Sequence, residues 1–333
     1  MPESCLRIPS DDLRQLIAAL FEKAGTSRQD AELMARLLVD SDLRGVFSHG
    51  TKQTSGYVRM MLEGRVNPRP TVSVVSETRT TQVLDGDGGL GHFPCYQGTH
   101  WAVARAKEYG TAAVTTRNHF HFGGAGKYSR IALEQDCIGL AVSSHRLGLD
   151  PESSVNGASG GSPISVAFPS GAEPTLVLDT GANFIDWDAE HFERDPWPFF
   201  KSLGLGAVLQ GLGGILAGIY KPEFQAPQSP WESNQGGFIA VFDVSCFIPV
   251  DEFKKEMDHY MHQVRNMQPL PGLEQAELAG SVEWQREREF ASNGIPITTA
   301  HQQILETLSE ELGVETPFAA HELSRFELDM SMF

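Results

Sequence analysis

The sequence predicts an α+β fold, because amphipathic helical patterns occupy both ends of the chain and short strand patterns occupy its middle. We expect an N-terminal helical part at residues 1–70, a central strand-rich part at residues 71–248, and a C-terminal helical part at residues 249–333. This order predicts that the two helical ends pack together as one domain.

Three helices are predicted before residue 70. The first begins at Ser10-Asp11-Asp12, where the hydroxyl and the carboxylates meet unpaired backbone N–H groups, and it ends at Gly25. The second begins at Ser27, and the third covers residues 54–63. The segment Asn67-Pro68-Arg69-Pro70 then predicts a linker.

The centre of the chain alternates short apolar strands with helices. The uncharged stretch 203–220 is long enough to consider as a membrane span, but its six glycines and Gln210 favour a buried helix packed closely on its neighbours. Strands are predicted at residues 71–76, 80–84, 112–116, 138–143, 164–168, 176–178 and 237–244. Helices are predicted at residues 96–109, 128–135, 203–218, 251–264, 282–292 and 302–312.

Composition excludes several classes of function. The 333 residues carry a net charge of −17, which argues against nucleic acid and anionic membrane surfaces as partners. The four cysteines have neither zinc-finger nor redox spacing, which favours a reducing compartment. The N-terminus has no apolar core behind a basic start, so we expect no signal peptide and a cytoplasmic protein.

The most informative motif is Phe47-Ser48-His49-Gly50-Thr51, at the point where a helical segment should stop. A histidine held on such a turn can titrate near neutral pH and exchange protons with a substrate. Two interpretations follow: His49 is an exposed residue at a helix C-cap, or it is a catalytic acid and base.

A second candidate site covers residues 117–128, between a strand and a helix. Its glycine-rich turn presents backbone N–H groups to an anion, and Asn118 and His119 could hold a carboxylate or a carbonyl group. His119 and His121 could instead be two metal ligands, but a third ligand is not evident. A purely structural glycine turn, with one histidine capping the helix, is the remaining interpretation.

Two further loops have small side chains that let backbone approach a ligand closely, or that form simple turns. They are residues 157–163 and residues 178–183. The sequence has no Gly-x-Gly-x-x-Gly pattern in a Rossmann context, no phosphate-binding loop of the Walker type and no Gly-x-Ser-x-Gly elbow.

Taken together, these motifs resemble the malate/L-lactate dehydrogenase family of the second type, a non-Rossmann group that includes ureidoglycolate, sulfolactate and diketogulonate dehydrogenases and cyclic-imine carboxylate reductases. The resemblance runs almost from end to end. Its motifs are similar to Asp42-Leu43-Arg44-Gly45, Ser48-His49-Gly50, Asn118-His119, Ala125-Gly126-Lys127-Tyr128, Ser162-Pro163-Ile164, Leu178-Asp179-Thr180-Gly181-Ala182-Asn183, Lys201-Ser202-Leu203-Gly204-Leu205 and Gly294-Ile295.

The resemblance implies a homodimer with a non-Rossmann nicotinamide-binding fold and NAD or NADP as cofactor. It also implies an oxidoreductase that acts on CH–OH or CH–NH, at the carbon beside a carboxyl or carbonyl group of a 2-oxo acid, a 2-hydroxy acid or a cyclic imine. We expect no metal, because a third ligand is not evident. His49 would be the proton donor and acceptor. The substrate-binding residues would be Ser48, Gln53, Asn118 and His119. The cofactor-binding residues would be Asp179, Thr180, Gly181, Ala182, Asn183, Lys201, Ser202 and Gly280.

The sequence also departs from the family pattern. Gln53 stands where the family has an arginine that clamps the substrate carboxylate, and a neutral amide cannot form that bidentate charged pair. The stretch between Asp179 and Lys201 looks shorter than usual. The substrate would then carry a neutral group or use another cation, such as Arg44 or Lys52. The alternative is a repurposed fold that performs non-redox acid–base chemistry or binds a ligand without nicotinamide.

Overall fold

A computed structural model describes residues 2–185, 187–221, 233–272 and 274–329, and the chain divides into two compact units. The terminal unit contains Met1–Arg69 and Ser281–Phe333, and the central unit contains Pro70–Gly280. Both ends of the chain therefore contribute to one unit. Within the described residues, no helix is long and apolar enough to cross a membrane.

The terminal unit combines helices with a small sheet that the sequence patterns did not reveal. The sheet is antiparallel with the strand order β10-β1-β9, so residues from both ends of the chain pair, as in Cys5 with Thr298. Helix α1 buries an apolar face on α2, and the Ser27 hydroxyl accepts a hydrogen bond from the Asp30 N–H at the start of α2. The elements are β1 (Pro2–Ile8), α1 (Ser10–Lys23), α2 (Arg28–Leu43), α3 (Thr54–Leu62), α9 (Ser281–Asn293), β9 (Ile295–Thr298), α10 (Thr299–Leu312) and β10 (Phe326–Asp329).

The central unit is built on a mixed seven-stranded sheet. Its strands lie in the order β2 (Ser73–Glu77), β3 (Thr81–Asp85), β4 (Thr111–His119), β8 (Gln235–Asp243), β5 (Cys137–His145), β6 (Pro163–Phe168) and β7 (Leu176–Gly181). Only β3 and β4 pair in parallel, and α4 connects them. Strand β8 inserts between β4 and β5. The elements are β2 (Ser73–Glu77), β3 (Thr81–Asp85), α4 (His92–Tyr109), β4 (Thr111–His119), α5 (Gly126–Ser129), β5 (Cys137–His145), β6 (Pro163–Phe168), β7 (Leu176–Gly181), α6 (Ala189–Arg194), α7 (Trp197–Leu209), β8 (Gln235–Asp243) and α8 (Val250–Arg265).

The second boundary between the units lies after residue 280, whereas the sequence analysis placed it after residue 248. Helix α8 belongs to the central unit because its polar side chains hold the loop after β6. The Asp258 carboxylate accepts the backbone N–H groups of Gly171, Ala172 and Glu173 at 2.8–3.2 Å, and Arg265 forms an ion pair with Glu173 at 2.5 Å.

The glycine-rich stretch 203–220 is only partly buried, so the prediction of a buried helix is wrong for one of its faces. Helix α7 continues into a π-helical turn at Gln210–Ile215. Glycines on one face pack against backbone: a Cβ on Gly206 would lie 2.4 Å from the Ser159 carbonyl oxygen. On the other face Val208 and Ile215 are 58% and 67% exposed.

Candidate functional site

The turn that carries His49 lies outside α2, contrary to the prediction that it closes the helix. Helix α2 ends at Leu43, and Gly45 adopts a left-handed φ of 74°. The Gly45 N–H donates to the Asp42 carbonyl oxygen at 2.9 Å, and the Val46 N–H donates to the Ser41 carbonyl oxygen at 2.9 Å. This is a Schellman-type helix end, after which Phe47–His49 and Thr51–Gln53 form two successive 3₁₀ turns.

The three site residues predicted in the terminal unit come together on these turns. The Ser48 hydroxyl lies 3.0 Å from Nδ1 of His49, and the Gln53 Nε2 donates to the Ser48 carbonyl oxygen at 2.7 Å. The His49 ring is half-buried, while Ser48 is exposed. The imidazole of His49 is therefore held at the surface, with one ring nitrogen engaged by a neighbouring hydroxyl.

Three buried polar residues, Asp42, Thr51 and His301, form hydrogen bonds next to this turn, and no sequence motif predicted a role for them. Oδ2 of the fully buried Asp42 accepts the Thr51 backbone N–H at 3.1 Å and the Thr51 hydroxyl at 2.5 Å. The Thr51 Oγ1 also lies 3.2 Å from Nε2 of His301, a buried residue in the first turn of α10. Burial, reinforced by the charge of Lys52, lowers the pKa of His301 to about 4.

Of the two alternative cations proposed from the sequence, Arg44 is already committed to a carboxylate. Its guanidinium forms a bidentate pair with Glu287, with distances of 2.8 and 3.2 Å. Lys52 is exposed on the same turn as Gln53. Lys52 is therefore the better placed of the two to meet an anionic substrate group.

In the central unit, the glycine-rich turn 123–126 is joined to one of the predicted cofactor residues. The Asp179 carboxylate accepts the Gly126 N–H at 2.9 Å. A Cβ on Gly126 would lie 2.5 Å from Asp179 Oδ2 and 2.4 Å from a guanidinium nitrogen of Arg130, so a larger residue there would require both side chains to move. The helix predicted at residues 128–135 is the short α5 followed by a 3₁₀ turn at Arg130–Gln135.

Asn118 and His119 are engaged inside the protein. Asn118 sits at a register shift between β4 and β8 with a left-handed φ of 52°, donates to Asp85 at 2.7 Å and accepts from Ser233 at 2.6 Å. His119 is fully buried, with Nδ1 2.7 Å from the Phe120 carbonyl oxygen and Nε2 2.9 Å from the Thr116 hydroxyl. Since the carbonyl can only accept, Nδ1 carries the proton and Nε2 accepts from Thr116.

Burial also lowers the pKa of His119 to about 4, so its ring is neutral near pH 7. These contacts favour structural roles for Asn118 and His119, in place of the predicted contact with substrate. His121 is half-buried and follows the same strand, and it is the more accessible histidine of this segment. In the part of the chain that the structure describes, no group of three or more His, Cys, Asp and Glu side chains could hold a metal ion.

Two of the predicted cofactor residues, Asn183 and Ser202, line a small cavity of about 110 Å³ in the central unit. The Ser159 hydroxyl donates to the Asn183 side-chain oxygen at 2.9 Å, and the Ser202 hydroxyl accepts the Phe184 N–H at 3.3 Å. The cavity is lined by Asn156, Ser159, Asn183, Ile185, Trp187, Phe199, Ser202 and Leu203. Amide, hydroxyl and aromatic groups thus meet in a space that suits one ring of a larger ligand.

The other predicted cofactor residues do not line this cavity. Thr180 and Gly181 lie at the end of β7, and Ala182 is buried in a small apolar cluster with Val142 and Leu209. Lys201 is exposed on α7, next to Ser202. Gly280 packs on β7, because a Cβ there would lie 2.7 Å from the Thr175 carbonyl oxygen.

Comparison with known proteins identifies the family of the chain. The family described as malate/L-lactate dehydrogenase matches residues 8–187 and 194–306. The interruption falls between Asp179 and Lys201, where the sequence analysis noted a departure from the family pattern.

The chain is similar along most of its length to proteins of that family. It is 28% identical to the malate dehydrogenase of Pyrococcus horikoshii, covering 94% of this chain and 97% of the relative. The solved structure of that protein superposes with a TM-score of 0.82 at 27% identity, covering 94% of this chain and 97% of that one.

The L-sulfolactate dehydrogenase of Methanocaldococcus jannaschii is 28% identical, over 90% of this chain and 96% of the relative. The ureidoglycolate dehydrogenase (NAD(+)) of Escherichia coli is 23% identical, over 90% of this chain and 95% of the relative. The resemblance inferred from the motifs and the α+β fold class are both confirmed.

Proposed function

Because the chain belongs to the malate/L-lactate dehydrogenase family, we propose that it exchanges hydride between a nicotinamide cofactor and a small 2-hydroxy acid, with His49 as proton donor and acceptor. Of the expected oxidoreductase activity on CH–OH or CH–NH groups, the activity on CH–OH groups is confirmed by the relatives, which are dehydrogenases. The observation that carries the proposal is a half-exposed histidine whose ring is oriented by Ser48 at 3.0 Å.

The chemistry requires a proton to move whenever hydride moves. Nicotinamide, when bound, supplies or takes the hydride. In oxidation His49 removes the hydroxyl proton of the substrate, and in reduction it returns that proton to the carbonyl oxygen. We assign the Nδ1 proton to a hydrogen bond with the Ser48 hydroxyl, and we assign the proton exchange with substrate to Nε2.

The residues of the central unit fit part of a dinucleotide. Asn183 and Ser159 offer amide and hydroxyl groups to a ribose or a carboxamide, and Trp187 offers an aromatic face at the same cavity. Lys201, exposed beside Ser202, offers a positive charge to a phosphate. We propose that these residues hold the cofactor, and that Asp179 keeps the glycine turn in place through Gly126.

Substrate choice follows from the neutral side chain at residue 53. The Gln53 amide nitrogen is engaged by the Ser48 carbonyl oxygen at 2.7 Å, and Arg44 is paired with Glu287. We propose that Lys52 contacts the anionic group of the substrate. Plain 2-oxo acids that depend on a bidentate arginine should then be poor substrates.

The test is a panel of 2-hydroxy acids (malate, lactate, sulfolactate and ureidoglycolate) oxidised with NAD⁺ and with NADP⁺ and followed at the absorbance of the reduced nucleotide. Thermal shifts with each nucleotide are measured in parallel, because a bound cofactor raises the melting temperature by mass action. Turnover of any panel member with either nucleotide supports the proposal. A folded protein that shows neither turnover nor a shift with either nucleotide would favour the repurposed, nicotinamide-independent function.

A further inference from the structure

We propose that Asp42, Thr51 and His301 form a buried positioning network that fixes the main chain of His49 and thereby sets the rate of proton transfer. The inference rests on the proposed role of His49, but its evidence is separate. All three residues belong to the terminal unit, and none of them is more than 4% exposed.

The hydrogen bonds of this network have a defined direction. Oδ2 of Asp42 already accepts the Thr51 N–H at 3.1 Å, so it also accepts the Thr51 hydroxyl proton. The Thr51 oxygen then accepts a hydrogen bond from the Nε2–H of His301 at 3.2 Å. The chain of donors therefore runs from α10 through Thr51 to Asp42 in the last turn of α2.

Steric contact adds to this polar anchoring. A Cβ on Gly50 would lie 1.7 Å from Asp42 Oδ1 and 2.6 Å from its carboxyl carbon. The backbone between His49 and Thr51 thus rests directly on the buried carboxylate. The Asp42 side chain fixes the chain immediately after His49 by contact with Gly50 and by two hydrogen bonds to Thr51.

The residues before His49 are fixed from the other side. The His49 N–H donates to the Val46 carbonyl oxygen at 3.1 Å, and Gln53 holds the Ser48 carbonyl oxygen at 2.7 Å. Hydrogen bonds thus hold the backbone on both sides of His49. The ring can then move only by rotation about its side-chain torsions, and the contact of Ser48 with Nδ1 restrains that rotation. A catalytic side chain keeps such a geometry only if buried residues hold its backbone in place, and the hydrogen bonds among Asp42, Thr51 and His301 do this.

The experiment compares Thr51→Val, which keeps the shape and the N–H bond to Asp42, with Thr51→Ser, which keeps the hydroxyl. Misplacement of a catalytic group by roughly 1 Å costs on the order of 100-fold. We expect Thr51→Val to lower kcat by about 10- to 100-fold with KM within about twofold, and Thr51→Ser to restore most of kcat. Thr54→Val is the matched control, because Thr54 is equally buried and its hydroxyl has no hydrogen-bond partner among the described residues.

A second measurement separates this inference from the function of His49. The ring of His49 is followed by NMR across pH, with its signal assigned by comparison with His49→Gln. In Thr51→Val we expect a displaced titration midpoint or exchange broadening, and in Thr54→Val the wild-type curve. If Thr51→Val does not fold, Thr51→Ala takes its place.

The outcomes are distinguishable. A folded Thr51→Val with wild-type kcat and an unchanged His49 titration would overturn the positioning network, even if His49→Gln is inactive. If His49→Gln keeps its activity, the proposed function fails, and the NMR comparison alone then decides whether the network positions His49. Equal losses in Thr51→Val and Thr54→Val would also overturn the inference, because any buried hydroxyl would then have the same effect.

Discussion

Replacing Gly50 with alanine should destabilise the terminal unit by about 3–6 kcal/mol, because the two Thr51 hydrogen bonds to the Asp42 carboxylate each contribute about 1.5–3 kcal/mol. The new Cβ would lie 1.7 Å from Asp42 Oδ1, so the carboxylate must leave its position. The backbone of Gly50, with φ −97° and ψ −149°, lies outside the left-handed region. The effect of Gly50→Ala should therefore arise from the clash and not from backbone strain.

Gly56→Ala provides the matched control in the same unit. A Cβ on Gly56 would meet nothing within 4 Å, and Gly56 lies in α3, where alanine should stabilise by about 0.5–1 kcal/mol. Both variants are measured by urea unfolding followed by circular dichroism. If Gly50→Ala unfolds within about 0.5 kcal/mol of the wild type, then the turn does not depend on the buried carboxylate.

Three further results are expected. Gln53→Arg should raise activity on simple 2-oxo acids by roughly 10- to 100-fold, the equivalent of a charge-assisted hydrogen bond of about 1.5–3 kcal/mol. Efficient reduction of pyruvate or oxaloacetate by the wild type would show that Gln53 is no obstacle to these substrates. The free energy of unfolding should fall as pH is lowered from about 6.5 towards 4, by roughly 3 kcal/mol for each of His119 and His301. The reason is that the pKa of each ring is lowered to about 4 in the folded protein, so the unfolded chain binds the proton first. A urea midpoint that is independent of pH over this window would contradict the burial of both rings. Light scattering at micromolar concentration should give twice the 36.5 kDa of one chain, and a clean monomer would refute the predicted homodimer.

Local patterns predicted most of the helices, because each pattern depends on residues close together in sequence. The capping residue Ser27 and the apolar face of α1 are examples, and the helices α1, α2 and α3 begin within a residue of their predicted starts. The β1, β9 and β10 strands were missed. They pair residues about 300 positions apart, such as Cys5 with Thr298, and no local signal marks such partners.

The candidate site was predicted in part. The motif at Ser48-His49-Gly50 pointed to the turn on which Ser48, His49 and Gln53 meet, because glycine and histidine are chemically distinctive in sequence. Asp42 was visible in the sequence, but its contact with Gly50 depends on how the chain folds back after α2. His119 was predicted to meet substrate, whereas its burial and its two hydrogen bonds depend on Thr116 and the path of the backbone after β4. His301 comes from a helix 250 residues after Thr51, beyond the reach of any motif.

The most direct test of the central claim is the kcat of His49→Gln with a 2-hydroxy acid that the wild type oxidises, measured together with nucleotide affinity and melting temperature. We predict that kcat falls by about 10²- to 10⁴-fold, while Kd for the nucleotide and Tm stay at their wild-type values. His259→Gln, the same change at an exposed position on α8, should leave kcat unchanged. Near-normal turnover in a folded His49→Gln that still binds nucleotide would remove His49 from the mechanism and contradict the claim.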